Sequence, residues 1–345
     1  MRFREKISHE EYAQIARRAL RLFLSVDIVN STALKQEFRQ REGESWIEVA
    51  HGFYTSFPSL LEGAIDRISS PLTDPVNTSP GLWKALGDEL IFVAEVLRME
   101  DLPPILKAFR ETIQRWNLDF ESKGISIKGA AWLAGFPVMN SAIVGDDVDH
   151  LDFLGLSMDV GFRLGHHATP RRFMLSVELA YVLAVLESDL VGELGYGGSD
   201  ILKGVLRNRP YPVLSLDCYR AEVLPGFAAL EVLSDTAFLP AHEAISAQPL
   251  REFLLAWMES SRGDICPPFC PRLDDVRFPI PSDYAERERQ SLAELEREFL
   301  EVPQASESGG DDSGLDLADF DRMFSPDDSQ RTKRRPDRSN EGDRP

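Results

Sequence analysis

Phe23-Leu24-Ser25-Val26-Asp27-Ile28-Val29-Asn30-Ser31-Thr32 is the stretch from which the rest of the chain is read. Its run from Phe23 to Ile28 is apolar and β-prone, which predicts a short buried strand. Asp27 stands at the end of that strand. Asn30, Ser31 and Thr32 then supply cap residues, which predicts the start of a helix. The first N–H groups of a helix lack intrahelical acceptors and favour anions. Val29, Asn30, Ser31 and Thr32 are therefore candidate phosphate-binding positions.

Working outward, Ser8 and Glu11 form a capping box that predicts a first helix reaching about Leu20. Apolar residues at helical spacing run from Ala33 through Phe38, Trp46, Val49, Phe53 and Phe57 to Leu61, with breaks. Ser69 to Pro80 reads as a loop. Leu82 to Val93 reads as a hairpin about Gly87-Asp88. Asp101 to Phe120 is a predicted helix with Pro103 and Pro104 in its first turn, where proline is tolerated. Strands are predicted within Ile125–Phe136, Phe173–Ser176 and Tyr211–Leu216, and a helix over Ser157–Leu164. This alternation predicts an α+β fold, a mixed sheet with helices packed on one face.

The pattern weakens after about Arg220, so a first domain is placed at 1–221. Residues 222–302 are expected to be a helical extension, with helices at Arg251–Met258 and from Tyr284 to about Leu300. Ala285, Leu292, Leu295 and Phe299 mark an apolar face on the second of these. Residues 303–345 are rich in Ser, Gly and Asp, then in Arg and Lys, and are expected to be a disordered charged tail.

Among 345 residues, Lys+Arg 38 against Asp+Glu 57 leaves a net charge of -19. That excess argues against a general nucleic-acid binder, which needs a basic face. No apolar run is long enough for a membrane span. No signal core follows Met1 to Lys6. Three cysteines are too few for a disulfide framework, which predicts a reducing, cytoplasmic setting. Cys266 and Cys270 have no neighbouring histidine to complete a zinc site.

Asp27 and Asp88 at strand ends of one sheet suit two divalent ions with oxygen ligands. With the helix start beside them they describe two-metal handling of a nucleoside triphosphate. Gly-Asp pairs are also ordinary turn residues.

Four stretches, in order, resemble the motifs of class III nucleotidyl cyclases. They are Phe23–Thr32, Lys84–Asp88, Asp152–Leu164, and Leu202-Lys203-Gly204 with Tyr211-Pro212-Val213. Trp83 to Leu90 is most similar to the bacterial pyrimidine cyclases of the Pycsar anti-phage system. The resemblance implies the ferredoxin-like class III fold over 1–221 and a head-to-tail homodimer with shared active sites. It implies that Asp27, Ile28 and Asp88 hold two Mn2+ or Mg2+ ions. The partner protomer would supply Arg163 for catalysis, Asp159 is a further catalytic candidate, Lys203 would clamp the outer phosphates, and Lys84 and Asp152 would read the base. The implied reaction converts a pyrimidine nucleoside triphosphate, UTP before CTP, to its 3′,5′-cyclic monophosphate. That product would be a second messenger for a cyclic-nucleotide-binding effector. Alternatives are an adenylate cyclase and an inactive nucleotide-binding homologue.

Asp159 departs from the family pattern, which has Asn there; an ionised Asp accepts hydrogen bonds but cannot donate them. Lys84 donates and Asp152 accepts, and the edges of adenine, cytosine and uracil all satisfy that pair. A pyrimidine site must be smaller; Trp83, Phe53 or Tyr54 could fill the space. Leu86-Gly87-Asp88-Glu89-Leu90 is also similar to the turn of diguanylate cyclases, which lack a counterpart of Asp152–Arg163.

Overall fold

A computed structural model describes residues 9–39, 45–144, 151–218, 245–261 and 263–299. Strand β1 spans Ala19–Ile28 and starts earlier than the local pattern indicates. Helix α1 is confined to His9–Ile15, so the helix expected to reach Leu20 stops short; Ser8 lies outside the described residues. The reason is alternation. Leu20, Leu22, Leu24, Val26 and Ile28 enter one core cluster, while Ala19 and Phe23 enter another. A period of two buries both faces of a strand, and this tertiary burial overrides the local helix signal.

After β1 come α2 (Ser31–Phe38) and α3 (Trp46–Ser69), then the hairpin β2 (Gly81–Leu86) and β3 (Glu89–Glu95). Helix α4 (Leu102–Phe120) leads into β4 (Ile127–Phe136). These strands lie in the order β2-β3-β1-β4, each antiparallel to its neighbour. That is the βαββαβ arrangement of ferredoxin-like folds. Strands β5 (Asn140–Val144) and β6 (Leu151–Gly155) form a two-stranded sheet of their own. Helix α5 (Leu156–Gly165), β7 (Arg172–Leu175), α6 (Val177–Val185), β8 (Leu194–Ile201) and β9 (Pro210–Asp217) follow. The large sheet then reads β2-β3-β1-β4-β7-β9-β8, and the parallel pairing of β4 with β7 makes it mixed.

Helices α3 and α4 pack on one face. A Cβ at Gly129 would meet the Ile113 side chain at 2.6 Å, so α4 and β4 approach closely there. The opposite face is covered over part of its length by α5 and by Phe153 of β6. Gly161 permits this: a Cβ there would meet the Trp132 ring at 2.1 Å. Phe23 and Trp132 stack beneath, with ring centroids 5.5 Å apart.

Helices α7 (Ala247–Ser260) and α8 (Tyr284–Phe299) pack on this body through Leu250, Leu254, Met258 and Tyr284. On α8 the buried positions include Tyr284 and Leu295, whereas Ala285, expected on the apolar face, is exposed. The tail expected to be disordered lies outside the described residues. Among the described residues, no helix is long and apolar enough to cross a membrane.

Candidate active site

Antiparallel register sets Asp27 between Glu89 of β3 and Lys128 of β4. Lys128 Nζ stands 3.5 Å from Asp27 Oδ2 and donates to the Gly165 carbonyl at 3.3 Å. The Ser25 hydroxyl, two residues earlier on the same face, donates to Glu89 Oε1. Asp88 occupies the β2–β3 turn behind Gly87, whose φ of 72° favours glycine. The Ile28 N–H donates to the Asp88 carbonyl at 3.1 Å and ties the turn to the end of β1. Lys35 Nζ lies 3.8 Å from Asp88 Oδ1.

Asp27, Asp88, Glu89 and Lys128 share a cleft of about 220 Å³, walled on one side by Phe162, Gly165 and His166 of the α5 end. Burial pushes the Asp27 carboxyl up to about 6; Lys128 opposes this, and Asp88 and Glu89 add to it. Burial also raises Glu89, against the pull of Ser25 and Lys128.

Among the described residues, no group of three or more His, Cys, Asp or Glu converges as a closed metal cage. Asp27 and Asp88 nevertheless suit a divalent cation. Mg2+ is ordinarily held by one or two carboxylates together with substrate phosphates. The repulsion that Asp88 and Glu89 exert on Asp27 is what such a cation relieves.

The start of α2 is built differently from expectation. Asn30 has φ 52° and makes no side-chain cap bond. The Val29 N–H donates to the Ser126 carbonyl at 2.9 Å, so it serves the β1–β4 junction. Ser31 is buried and Thr32 exposed; both stand in the first turn, where N–H groups have no intrahelical acceptor.

Lys84 and Asp152, 68 residues apart, meet. Lys84 Nζ donates to both carboxylate oxygens of Asp152 at 2.7 Å. Trp83 adjoins them, and its indole N–H donates to the Leu151 carbonyl at 2.7 Å. Phe53 is fully buried against Phe57 and Trp116 beneath the other face, so it cannot shape a base site here. The Tyr54 hydroxyl donates to the Gly87 carbonyl beside Asp88.

Asp159 and Arg163 are exposed one helical turn apart on α5. Arg163 Nε donates to the carbonyl of Lys203 at 3.0 Å. Neither Arg163 nor Lys203 lines the cleft of their own chain; Phe162, Gly165 and His166 do. One chain thus groups the named residues as Asp27 with Asp88, Lys84 with Asp152, and Arg163 with Lys203.

Glu89, Lys128 and His166 were not singled out as site residues from sequence. Lys128 had a usable signal, being the only charged residue in the run Ile125–Phe136. Glu89 and His166 had none beyond adjacency to named motifs.

No family model and no curated protein matches the chain. Among solved structures, it is similar to the adenylyl cyclase CyaB from P. aeruginosa at 13% identity and TM-score 0.41, covering 60% of this chain and 98% of that one. The guanylyl cyclase Cya2 is similar at 15% identity and TM-score 0.40, covering 59% and 93%. A class III adenylyl cyclase-like ATP-binding protein from Pseudomonas aeruginosa gives 10% identity and TM-score 0.32, covering 49% and 36%. At these levels of likeness, the functional reading stands on this chain's own residues.

Proposed function

We propose that the chain is a nucleotidyl cyclase that closes a nucleoside triphosphate to its 3′,5′-cyclic monophosphate and releases pyrophosphate. The observation that carries this is the presence of Asp27 and Asp88 in one cleft of a sheet whose β2 strand also carries Lys84, paired with Asp152 of the neighbouring β6. Together they offer a seat for a metal-bound triphosphate and a donor–acceptor pair for a base.

In this reading Asp27, Ile28 and Asp88 would hold two Mn2+ or Mg2+ ions. When bound, such ions neutralise triphosphate charge and acidify the ribose 3′-hydroxyl. The 3′-hydroxyl gives its proton to solvent as its oxygen forms a bond to the α-phosphorus, the bond from that phosphorus to the bridging oxygen breaks, and pyrophosphate departs. Ser31 and Thr32 present first-turn N–H groups to the phosphates. Arg163 faces the charge that builds on the α-phosphate and bridging oxygen. Lys203 clamps the outer phosphates, and Asp159 accepts from a ribose hydroxyl.

Sharing of sites in a head-to-tail homodimer is supported by the position of Arg163 and Lys203, which join each other and leave their own chain's cleft. The preference for a pyrimidine is supported by the Trp83 indole, whose bulk adjoins the base-reading pair; the order of uracil before cytosine rests on the family resemblance alone. The product would act as a messenger in anti-phage defence, read by a cyclic-nucleotide-binding effector.

The test is incubation of the purified chain with each of the four NTPs and Mn2+, with products identified by mass spectrometry. Cyclic UMP or CMP is expected. Cyclic AMP as the main product would make the chain an adenylate cyclase. Nucleotide binding without any cyclic product would leave an inactive homologue. Mixing Asp27→Ala and Arg163→Ala chains, each inactive alone, should restore turnover in heterodimers; a mixture that stays inactive despite subunit exchange removes the shared-site arrangement.

A further inference from the structure

Strand β2 contains a β-bulge whose consequence reaches the base-reading pair. Leu82 pairs with Phe92 and Lys84 with Ile91, so Trp83 is the extra residue between consecutive partners. A bulge redirects side chains that would otherwise alternate. Lys84 therefore stands opposite Ile91, on the face of Phe23 and Trp132, and Trp83 packs on that same face. Two neighbouring side chains thus point to the side where β6 lies.

Strand β6, which carries Asp152, is outside the hydrogen-bonded ladder of the large sheet. Its place on that sheet is set by side chains. Phe153 is buried against Phe23 at 5.3 Å and Phe136 at 5.3 Å. The Trp83 ring lies 5.1 Å from Phe153 and 5.6 Å from Phe23. Its N–H donates to the carbonyl of Leu151, the residue before Asp152. The Lys84 ammonium is held between the Asp152 carboxylate and the Trp83 ring, 4.6 Å from the ring centre.

We propose that Trp83 is a positioning residue for base recognition: its indole latches the β5–β6 hairpin to β2 and so sets the geometry of the Lys84–Asp152 pair. This rests on the reading of that pair as the base-recognising unit. Removing the indole N–H leaves the Leu151 carbonyl without its donor, so the hairpin loses one net hydrogen bond to β2. Both halves of the base reader then move relative to each other, while the Asp27–Asp88 cleft at the end of β1 is untouched.

Trp83→Phe keeps the ring and removes the N–H. Hydrogen exchange on the full-length variant should show residues 151–155 exchanging roughly three- to tenfold faster than in the parent, with α3 and α4 unchanged. Unchanged protection over 151–155, or faster exchange spread evenly over the chain, overturns the latch. Kinetically, the kcat/KM ratio between the preferred NTP and each other NTP should fall by a similar factor, through KM rather than kcat. In an Asp152→Asn background the same substitution should add no further loss of discrimination. Discrimination that survives Trp83→Phe intact overturns the positioning role. A parent chain that yields no cyclic nucleotide overturns the cyclase reading alone, since the exchange experiment still decides whether Trp83 holds the hairpin.

Discussion

At its C-terminal end, β1 presents Asp27 to an open cleft of about 220 Å³, where Lys128, Glu89 and Asp88 surround it. At its N-terminal end, Ala19 and Leu20 border a cavity of only about 30 Å³, together with Glu178 of α6. There Cys266-Pro267-Pro268 and Tyr284 cover the sheet, Glu178 is buried, and among the described residues its Oε2 has no hydrogen-bond partner. Both ends hold a carboxylate whose proton affinity burial raises. They differ in what answers the charge. Asp27 has a lysine within reach and solvent on one side, so it can ionise and accept a cation. Among the described residues no lysine reaches Glu178, it is buried from solvent, and its neutral form is the one burial favours. The open end carries the residues proposed for chemistry, and the closed end is filled by packing.

The largest expected effect tests the open end. Asp27→Ala should lower cyclic-nucleotide formation by more than about 10²-fold, the scale on which loss of a charge-stabilising group acts. The thermal melt should stay cooperative, because Asp27 lies in a polar cleft. Full turnover with added Mn2+ would remove Asp27 from the metal-binding role.

Packing beyond the closed end should respond in stability. Leu254 of α7, the helix packed on the Glu178-bearing α6, is fully buried, and Leu254→Ala should cost about 2–5 kcal/mol in denaturant unfolding. Turnover measured well below the melting temperature should persist. A change under 1 kcal/mol would mean that α7 is not a structural part of this body.

Gly161→Ala sharpens the boundary between the two behaviours. Its Cβ would enter the Trp132 ring, so α5 must shift, at a cost of about 1–3 kcal/mol. Because Arg163 rides on the same helix, turnover should drop along with stability, unlike in Leu254→Ala.

The smallest effect concerns Glu178. Its folded-state affinity for a proton is raised above the usual value of 4.5, so the native chain binds that proton more tightly than the unfolded one. Stability from this group is complete below about pH 4.5 and is lost as pH rises. Glu178→Gln has no such loss. The melting difference between variant and parent should therefore move in the variant's favour from pH 4.5 to 8. A difference flat across that range would mean that the carboxyl is solvated or paired.

The parts read correctly from sequence share a property: their determinants are close together along the chain. The run ending in Asp27, the Gly87-Asp88 turn and the paired prolines opening α4 each follow from side-chain type and backbone preference within a few residues. Strand β8 escaped because its glycines carry little apolar pattern, and α6 because a helix buried all round has no amphipathic period to detect. The helix expected from Ser8 and Glu11 to reach Leu20 gave up Ala19 and Leu20 to β1.

Residue types alone determined that this chain carries carboxylates at strand ends, a lysine four residues before Asp88, and an arginine on a short helix. Only the tertiary structure decided that Glu89 and Lys128 flank Asp27, that a bulge turns Trp83 toward β6, and that Glu178 is sealed beneath Cys266 and Tyr284. Each of those depends on register between strands, or on packing between segments, far apart in sequence. Such choices are made by burial summed over the whole sheet, which no local window contains.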